Sequence, residues 1–160
     1  MGAADSPVGP PATRPQARAF DAAYTTTPNW DIGRPQKSFV YLEESGRIGA
    51  RFAVWDAMRL ADLGILFDSV VDSAMFHCLG DAERDRMVEG LASVLRPGGS
   101  YFLLADARPD DSSLYDGGVS RRELRERFSD GWRIDFVLDT VFERRWSRNA
   151  ALFAGIRRVG

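Results

Sequence analysis

The apolar residues in the middle of the chain form a short run, then a helical stripe, then a second run. Residues 67–72 are apolar and end on an acid, which is typical of a strand. Residues 81–95 have helical spacing, with one stripe made of Met87, Leu91, Val94 and Leu95. Pro97 and the two glycines after it end that helix, and residues 101–104 are apolar again. The order strand, helix, strand predicts a βαβ crossover, the unit that builds a parallel sheet.

The N-terminal third predicts shorter elements. Residues 1–16 hold four prolines among small and polar residues, so we expect a disordered tail there. Residues 17–24 and 36–44 have helical spacing and predict two short helices. Residues 51–55 form a short β run, and residues 57–66 predict a loop or a single turn.

The C-terminal third predicts one helix and a ribbon of two strands. Ser120 is a good N-cap residue, and Glu123 follows three positions later as in a capping box. A helix is therefore predicted over residues 121–128. Residues 132–141 and 150–159 are long β runs separated by arginine-rich residues, and they predict an antiparallel ribbon at a sheet edge.

Alternating strands and helices predict an α/β fold. We expect about five strands, mainly parallel, with the antiparallel ribbon at the C-terminus, in one domain over residues 17–160. The chain has 160 residues, of which 44% are hydrophobic, so it can bury a core.

Charge and cysteine content narrow the class of partner and the compartment. A net charge of −2 leaves no electrostatic footprint for nucleic acid. The predicted last helix carries arginines beside Glu123 and Glu126, which predicts a solvated helix with ion pairs one turn apart. The single cysteine, Cys78, excludes an internal disulfide and fits a reducing cytoplasm. We expect no membrane span, since no apolar run reaches ~18 residues. We also expect no secretory signal, since no apolar stretch follows a basic start at the N-terminus.

Metal chemistry is also limited by composition. His77 is the single histidine, so a metal site built on two histidines is excluded. No C-x-x-C or H-x-E spacing occurs, which makes zinc a poor fit. We predict no metal site.

The central stretch closely resembles motifs IV to VI of class I S-adenosylmethionine-dependent methyltransferases. The segment FDAAYTTTPNWDIGRPQ, residues 20–36, resembles the N-terminal entry of bacterial halide/thiol and thiopurine methyltransferases. In that family the entry covers the methionine end of the cofactor and the acceptor. The resemblance implies that Trp30 contacts the cofactor and that Asp31 and Arg34 contact the substrate.

Two further matches lie at predicted strand ends. RFAVWDA, residues 51–57, resembles the third strand of the family and the acid after it, which implies that Asp56 and Ala57 contact the adenine. FDSVVDS resembles the fourth strand and implies a cofactor role for Asp72 and Ser73. The implied fold is a truncated Rossmann-like methyltransferase sheet, and the implied cofactor is S-adenosylmethionine.

A segment that the family carries is missing from the sequence. Only four residues separate Gly46 from Arg51, where roughly 40–50 residues of two αβ units are expected. No G-x-G-x-x-G or G-x-G-x-G occurs, so the loop that approaches the cofactor is absent. We therefore expect impaired or absent cofactor binding. A loss of ~4 kcal/mol would lower the affinity about a thousandfold.

The same gap predicts an open sheet edge. In the family, the fourth strand lies beside the first, so Val70 and Val71 would here lie on an unpaired edge. Either the strand at residues 51–55 moves in beside it, or two chains pair as a homodimer.

Each predicted site residue also has a structural interpretation. Trp30 can anchor a loop by packing, and Arg34 can lie on the surface. Asp56 can cap a helix, and Asp72 can cap a turn. His77, the catalytic candidate, could act as a base or orient an acceptor, but it could also be a packed residue.

The resemblance implies a methyltransferase-like protein that acts on a small-molecule nucleophile, such as a thiol or a halide. The alternative from another class is a non-catalytic remnant that serves as a binding or dimerisation module. A third possibility is a product of gene deletion without a selected function.

Overall fold

The computed structural model describes residues 22–37, 40, 55–112 and 117–160. Four strands and two α-helices lie wholly within these residues, together with 3₁₀ helices at Ala57–Leu63 and Phe76–Cys78. In chain order the main elements are β1 (Phe67–Ser73), α1 (Asp81–Val94), β2 (Leu95–Asp106), α2 (Arg121–Arg127), β3 (Trp132–Glu143) and β4 (Arg148–Arg158).

The four strands form one mixed sheet in the order β1-β2-β4-β3. β1 and β2 are parallel, whereas β2 with β4 and β3 with β4 are antiparallel. The prediction of about five mainly parallel strands is therefore not supported. The ribbon of β3 and β4 joins the sheet beside β2. Among the described strands there are therefore two antiparallel pairings and one parallel pairing.

The predicted crossover is confirmed. α1 connects β1 to β2 and buries Met87, Leu91 and Val94 from the predicted stripe. Residues 96–99 do not form a separate turn before the strand. They belong to β2 and form an irregularity near its start. The register moves there from Phe67 opposite Leu95 to Ser69 opposite Ser100. Gly98 has a φ of 82°, which a residue with a side chain rarely adopts.

The predicted C-terminal elements are also confirmed, with one correction. The Ser120 hydroxyl accepts a hydrogen bond from the Glu123 N–H at 3.0 Å and caps α2. However, the Glu123 side chain is buried, so the prediction of a solvated helix is wrong at this residue. Its carboxylate forms ion pairs with Arg84, Arg108 and Arg127.

The core lies mainly on the helical side of the sheet. Its larger cluster joins the two helices to the inner side chains of β2 and β4, and includes Phe76, Leu91, Tyr101, Leu124, Phe128 and Ile156. A smaller cluster of Leu104, Phe142, Ala151 and Phe153 belongs to the other face.

Several predicted segments lie outside the described residues. These are the tail at residues 1–16 and most of the predicted helices at 17–24 and 36–44. Of the predicted strand at 51–55 only Trp55 is described, and it is not in a strand. Within the described part of the chain, no helix has the length and apolar character needed to cross a membrane.

Candidate functional site

A cleft of about 700 Å³ opens at the carboxyl end of β1. Residues 24–36 form one wall, the turn after β1 forms the floor, and the end of β3 closes the far side. Five predicted site residues line it: Trp30, Asp31, Arg34, Ser73 and His77. The structure thus brings together residues that the sequence places in two separate motifs.

The first wall is stiffened by short local contacts. The Trp30 indole N–H donates to the Tyr24 hydroxyl at 3.1 Å, and the two rings meet edge to face with centroids 6.0 Å apart. One carboxylate oxygen of Asp31 accepts from the Gly33 N–H at 2.9 Å. This bond makes Asp31 part of the turn that presents Trp30 to the cleft.

The same wall is attached to the end of β3. The Arg34 guanidinium forms an ion pair with the Glu143 carboxylate at 2.7 Å. The hydrogen bond from Arg34, with its charge, holds the pKa of Glu143 below its usual range. Arg34 therefore already has an anionic partner within the protein.

The floor of the cleft rests on Asp72, which is buried. Its carboxylate accepts hydrogen bonds from the N–H groups of Met75 and Phe76, at 2.8 and 3.1 Å, and from the Tyr101 hydroxyl at 2.7 Å. Burial raises the pKa of Asp72, and these hydrogen bonds oppose the rise. Asp72 lies beneath the cleft and caps the turn. Ala74, in the floor itself, has a φ of 70°, a strained value for a residue with a side chain.

His77 reaches the cleft from the 3₁₀ turn Phe76–Cys78. Its Nδ1 accepts a hydrogen bond from the Asp106 N–H at 2.8 Å, and its ring meets Phe142 edge to face. Burial lowers the pKa of His77; the Asp106 charge opposes this shift, whereas nearby arginines add to it. The lowered pKa favours the neutral imidazole at pH 7.

Cys78 also lines the cleft, and its thiol contacts the Ala74 carbonyl oxygen at 3.2 Å. Burial raises the pKa of this thiol, and the charges of Asp72 and Asp106 raise it further. The thiol is a weak nucleophile at neutral pH as a result. It remains exposed enough to report on occupancy of the cleft.

Asp56 and Ala57 do not line the cleft. Asp56 is the N-cap of the 3₁₀ helix Ala57–Leu63 and accepts from the Met58 N–H at 2.9 Å. Ala57 packs against the larger core cluster. The structure thus separates these two residues from the other predicted site residues.

Sequence reasoning missed most of the cleft lining. Tyr24, Gln36, Met75, Phe142 and Arg144 all face it. Tyr24 and Gln36 lie within the matched N-terminal segment, so their position in that motif was the available signal. Phe142 and Arg144 come from the end of the ribbon, and only the folded sheet brings them to β1.

The described residues do not fit S-adenosylmethionine as a complete site. β1 pairs only with β2 within them, so no second strand supplies a loop beside its outer edge. The tight glycines face the protein's own atoms: a Cβ on Gly99 or Gly118 would meet a backbone oxygen at 2.9 Å. A Cβ on Gly155 would meet the Phe136 ring at 2.3 Å. None of the three offers a backbone surface to a nucleotide.

No protein-family model matches the chain. Over 99 residues the chain is 27% identical to 2-heptyl-1-hydroxyquinolin-4(1H)-one methyltransferase of Mycobacteroides abscessus. This alignment covers 61% of the chain and 44% of that relative. The chain therefore spans less than half the length of the curated relative that it matches.

Solved structures show a similar fold. One, reported as "Conversion of a Disulfide Bond into a Thioacetal Group during Echinomycin Biosynthesis", has a TM-score of 0.76 at 21% identity and covers 90% of this chain and 93% of that one. A SAM-dependent methyltransferase from Methanosarcina mazei has a TM-score of 0.56 at 18% identity, covering 69% and 68%. The N-methyltransferase NodS from Bradyrhizobium japonicum, in complex with S-adenosyl-L-homocysteine, has a TM-score of 0.51 at 15% identity, covering 66% and 53%. The chain has an α/β methyltransferase-like fold with a small mixed sheet. The curated relative and two of these three solved structures are methyltransferases by name.

Proposed function

We propose that this chain is a methyltransferase-like protein whose cleft holds a small-molecule nucleophile, and that the chain alone binds S-adenosylmethionine weakly or not at all. One observation carries the proposal. Trp30, Asp31 and Arg34 from the N-terminal motif meet Ser73 and His77 at the carboxyl end of β1. In open α/β sheets, ligands bind at the carboxyl ends of the strands.

The cleft suits a small organic acceptor. Its volume of about 700 Å³ is that of an ordinary small-molecule site. Tyr24, Trp30, Met75 and Phe142 supply apolar and aromatic surface, while few polar groups converge on it. The resemblance favours a thiol or a halide, whereas the name of the curated relative favours a heteroaromatic ring.

The chain's own residues would act by holding the acceptor. The aromatic wall excludes water from it, and the polar groups of the floor orient it. Methyl transfer requires alignment of donor and acceptor more than it requires a side-chain catalyst. The absence of a strong catalytic motif therefore does not argue against this class of reaction.

Weak cofactor binding is proposed from the sequence gap together with the fit of the described residues. The sequence has four residues where the family carries two αβ units. None of the tight glycines in the described residues is open to a nucleotide. An incomplete site loses the close backbone contacts that hold a cofactor.

Two titrations test the proposal on the purified chain. Calorimetry with S-adenosylhomocysteine should show a Kd weaker than about 1 mM, which is less than about 4 kcal/mol of binding free energy. A micromolar Kd would contradict the proposed cofactor defect. Cleft binding is measured separately, from the protection of Cys78 against a thiol reagent by aromatic ligands. Failure of every ring-bearing ligand to protect it would contradict the acceptor site.

A pair of tryptophan variants locates the binding. Trp30→Leu should weaken aromatic ligands about tenfold, since base- or ring-stacking surfaces contribute ~1–3 kcal/mol. Trp146→Leu is the matched control, because Trp146 is 78% exposed at the turn between β3 and β4. Equal effects of the two substitutions would place the ligand elsewhere.

One observation favours the second candidate, a dimerisation module without catalysis. Within the described residues the outer edge of β1 is unpaired, and Val71 on it is 52% exposed. Unpaired apolar edges promote pairing with another chain. Light scattering after size exclusion should then show a dimer that Val71→Lys dissociates. A monomer at micromolar concentration would contradict this candidate.

A further inference from the structure

His77 receives its hydrogen bond from a backbone group that the sheet leaves unpaired. β1 ends at Ser73, opposite Leu104 of β2, and the Ala74 N–H donates to the Leu104 carbonyl at 2.9 Å. Asp106 lies two residues further along β2, so its N–H faces the same side as Leu104 but beyond the end of β1. Nδ1 of His77 accepts that N–H at 2.8 Å.

This bond determines which ring nitrogen carries the proton. A backbone N–H can only donate, so Nδ1 must present its lone pair to Asp106. In the neutral imidazole, the proton then lies on Nε2. His77 therefore presents an N–H donor, and not a basic nitrogen, at its other ring atom.

The 3₁₀ turn that carries His77 is also held in place, through its backbone. The Arg84 guanidinium donates to the carbonyl oxygens of His77 and Leu79, each at 3.0 Å. Arg84 is itself 2% exposed and paired with Glu123, so it has little freedom to move. Contact with Phe142 limits rotation of the imidazole.

The donor has no acceptor among the residues that the structure describes. No hydrogen bond from Nε2 to any described residue is present, although the ring lines the cleft. Among the nearby carboxylates, Glu143 pairs with Arg34, and Asp106 pairs with Arg144 through Oδ2. Oδ1 of Asp106 is buried and has no hydrogen-bond partner among the described residues, so it does not accept from His77 either. Trp30, Met75 and Phe142 line the same cleft and offer His77 no strong acceptor. A ligand that supplies an acceptor for the N–H therefore gains the most binding free energy.

We propose that His77 is the specificity-determining donor of the cleft, and that it selects a flat, mainly apolar ring system that carries a hydrogen-bond-accepting oxygen. The oxygen is a ring carbonyl or an oxyanion that receives the Nε2–H. This assignment rests on the proposed function, because it names the class of ligand for the same cleft. It replaces the sequence-based hypothesis that His77 acts as a base.

Three bicyclic probes of similar size test the assignment. Chromone accepts hydrogen bonds but cannot donate them, indole donates through its N–H, and naphthalene does neither. Each is titrated by its protection of Cys78 from a thiol reagent. Chromone should bind about tenfold more tightly than indole, since one hydrogen bond contributes ~1 kcal/mol and indole leaves the donor unpaired.

Two variants isolate the donor. In His77→Phe the preference for chromone over indole should fall to about twofold or less, while naphthalene binding is retained. His77→Gln keeps an N–H donor and should restore part of the preference. Persistence of the full preference in His77→Phe would overturn the assignment.

A direct measurement does not depend on variant folding. The chain has one histidine, so the ¹⁵N spectrum of the imidazole contains a single pair of ring signals. Nδ1 should show the shift of an unprotonated nitrogen and Nε2 that of a protonated one at neutral pH. The reverse pattern would overturn the assignment. If no probe protects Cys78, the proposed function fails; if all bind without preference, only the role of His77 fails.

Discussion

The side-chain amide of Gln36 forms two hydrogen bonds with the backbone of Glu143. Its Nε2 donates to the Glu143 carbonyl at 2.7 Å, and its Oε1 accepts from the Glu143 N–H at 3.0 Å. Both residues are buried. Because Glu143 is the last residue of β3, the amide takes the place of a neighbouring strand and attaches the first cleft wall to the sheet.

Gln36→Leu should release this wall. Two buried backbone groups of Glu143 would lose their partners, at a cost of about 1–3 kcal/mol each if water does not replace them. Amide hydrogen exchange of residues 22–37 should accelerate, and aromatic probes should bind more weakly. Arg133→Gln, in the exposed part of β3, is the control and should leave this exchange unchanged. Unchanged exchange in Gln36→Leu would show that other contacts hold the wall.

Glu123→Gln should strongly destabilise the fold. The Glu123 carboxylate lies 2.7 Å from both Arg84 and Arg108, and it is 5% exposed. Removing the charge leaves buried guanidinium groups without their counter-charge, which typically costs about 3–5 kcal/mol. Urea unfolding measures the loss. The control is Glu126→Gln on the exposed face of the same helix, which should change stability by about 0.5 kcal/mol or less. Equal stabilities of the two variants would contradict the role of this network.

The contribution of Glu123 should also depend on pH. Burial raises its pKa, but hydrogen bonds and charges from Arg84 and Arg108 outweigh that effect, so the pKa is lower in the folded state. A lowered carboxyl pKa stabilises the fold above the unfolded value, about 4.3, and this stability is lost as the pH falls through the folded pKa. The stability difference between the wild type and Glu123→Gln should shrink below about pH 4. Urea unfolding between neutral and acidic pH measures it, and a constant difference would contradict the coupling.

Tyr101→Phe should destabilise the floor of the cleft. The Tyr101 side chain is 0% exposed, and its hydroxyl donates to Asp72 at 2.7 Å. Loss of this donor leaves a buried carboxylate with one hydrogen bond fewer, at about 1–3 kcal/mol. Thermal unfolding measures the change. Tyr24→Phe is the control. Because Tyr24 is largely exposed, this variant should lose much less stability. A larger loss in the control would contradict the importance of Asp72.

Some of the fold was predictable because its signals are local. Met87, Leu91 and Val94 share a helical face whatever surrounds them, and Ser120 caps α2 through a group three residues away. The two β runs of the ribbon are close in sequence and pair with each other. The motif around Trp30 is also a local signal, and it forms one wall of the cleft.

Other features depend on partners far along the chain. Glu123 resembles a surface capping residue in sequence, yet Arg84 and Arg108 bury it as an ion pair. The mixed sheet depends on β4 pairing with β2, which no local pattern specifies. β1 ends opposite Leu104, two residues before Asp106, so the Asp106 N–H has no partner on β1. His77 accepts this N–H through Nδ1, and for that reason its Nε2 is the donor.

The sequence by itself determined the crossover, the ribbon, the capped helix and the resemblance to methyltransferases, since periodicity, caps and short motifs act between near neighbours. Tertiary structure decided which side chains meet in the cleft and which carboxylates serve as caps. It also decided which nitrogen of His77 faces a ligand. Those outcomes follow from hydrogen bonds and burial between residues distant in the chain, for which sequence spacing carries no signal.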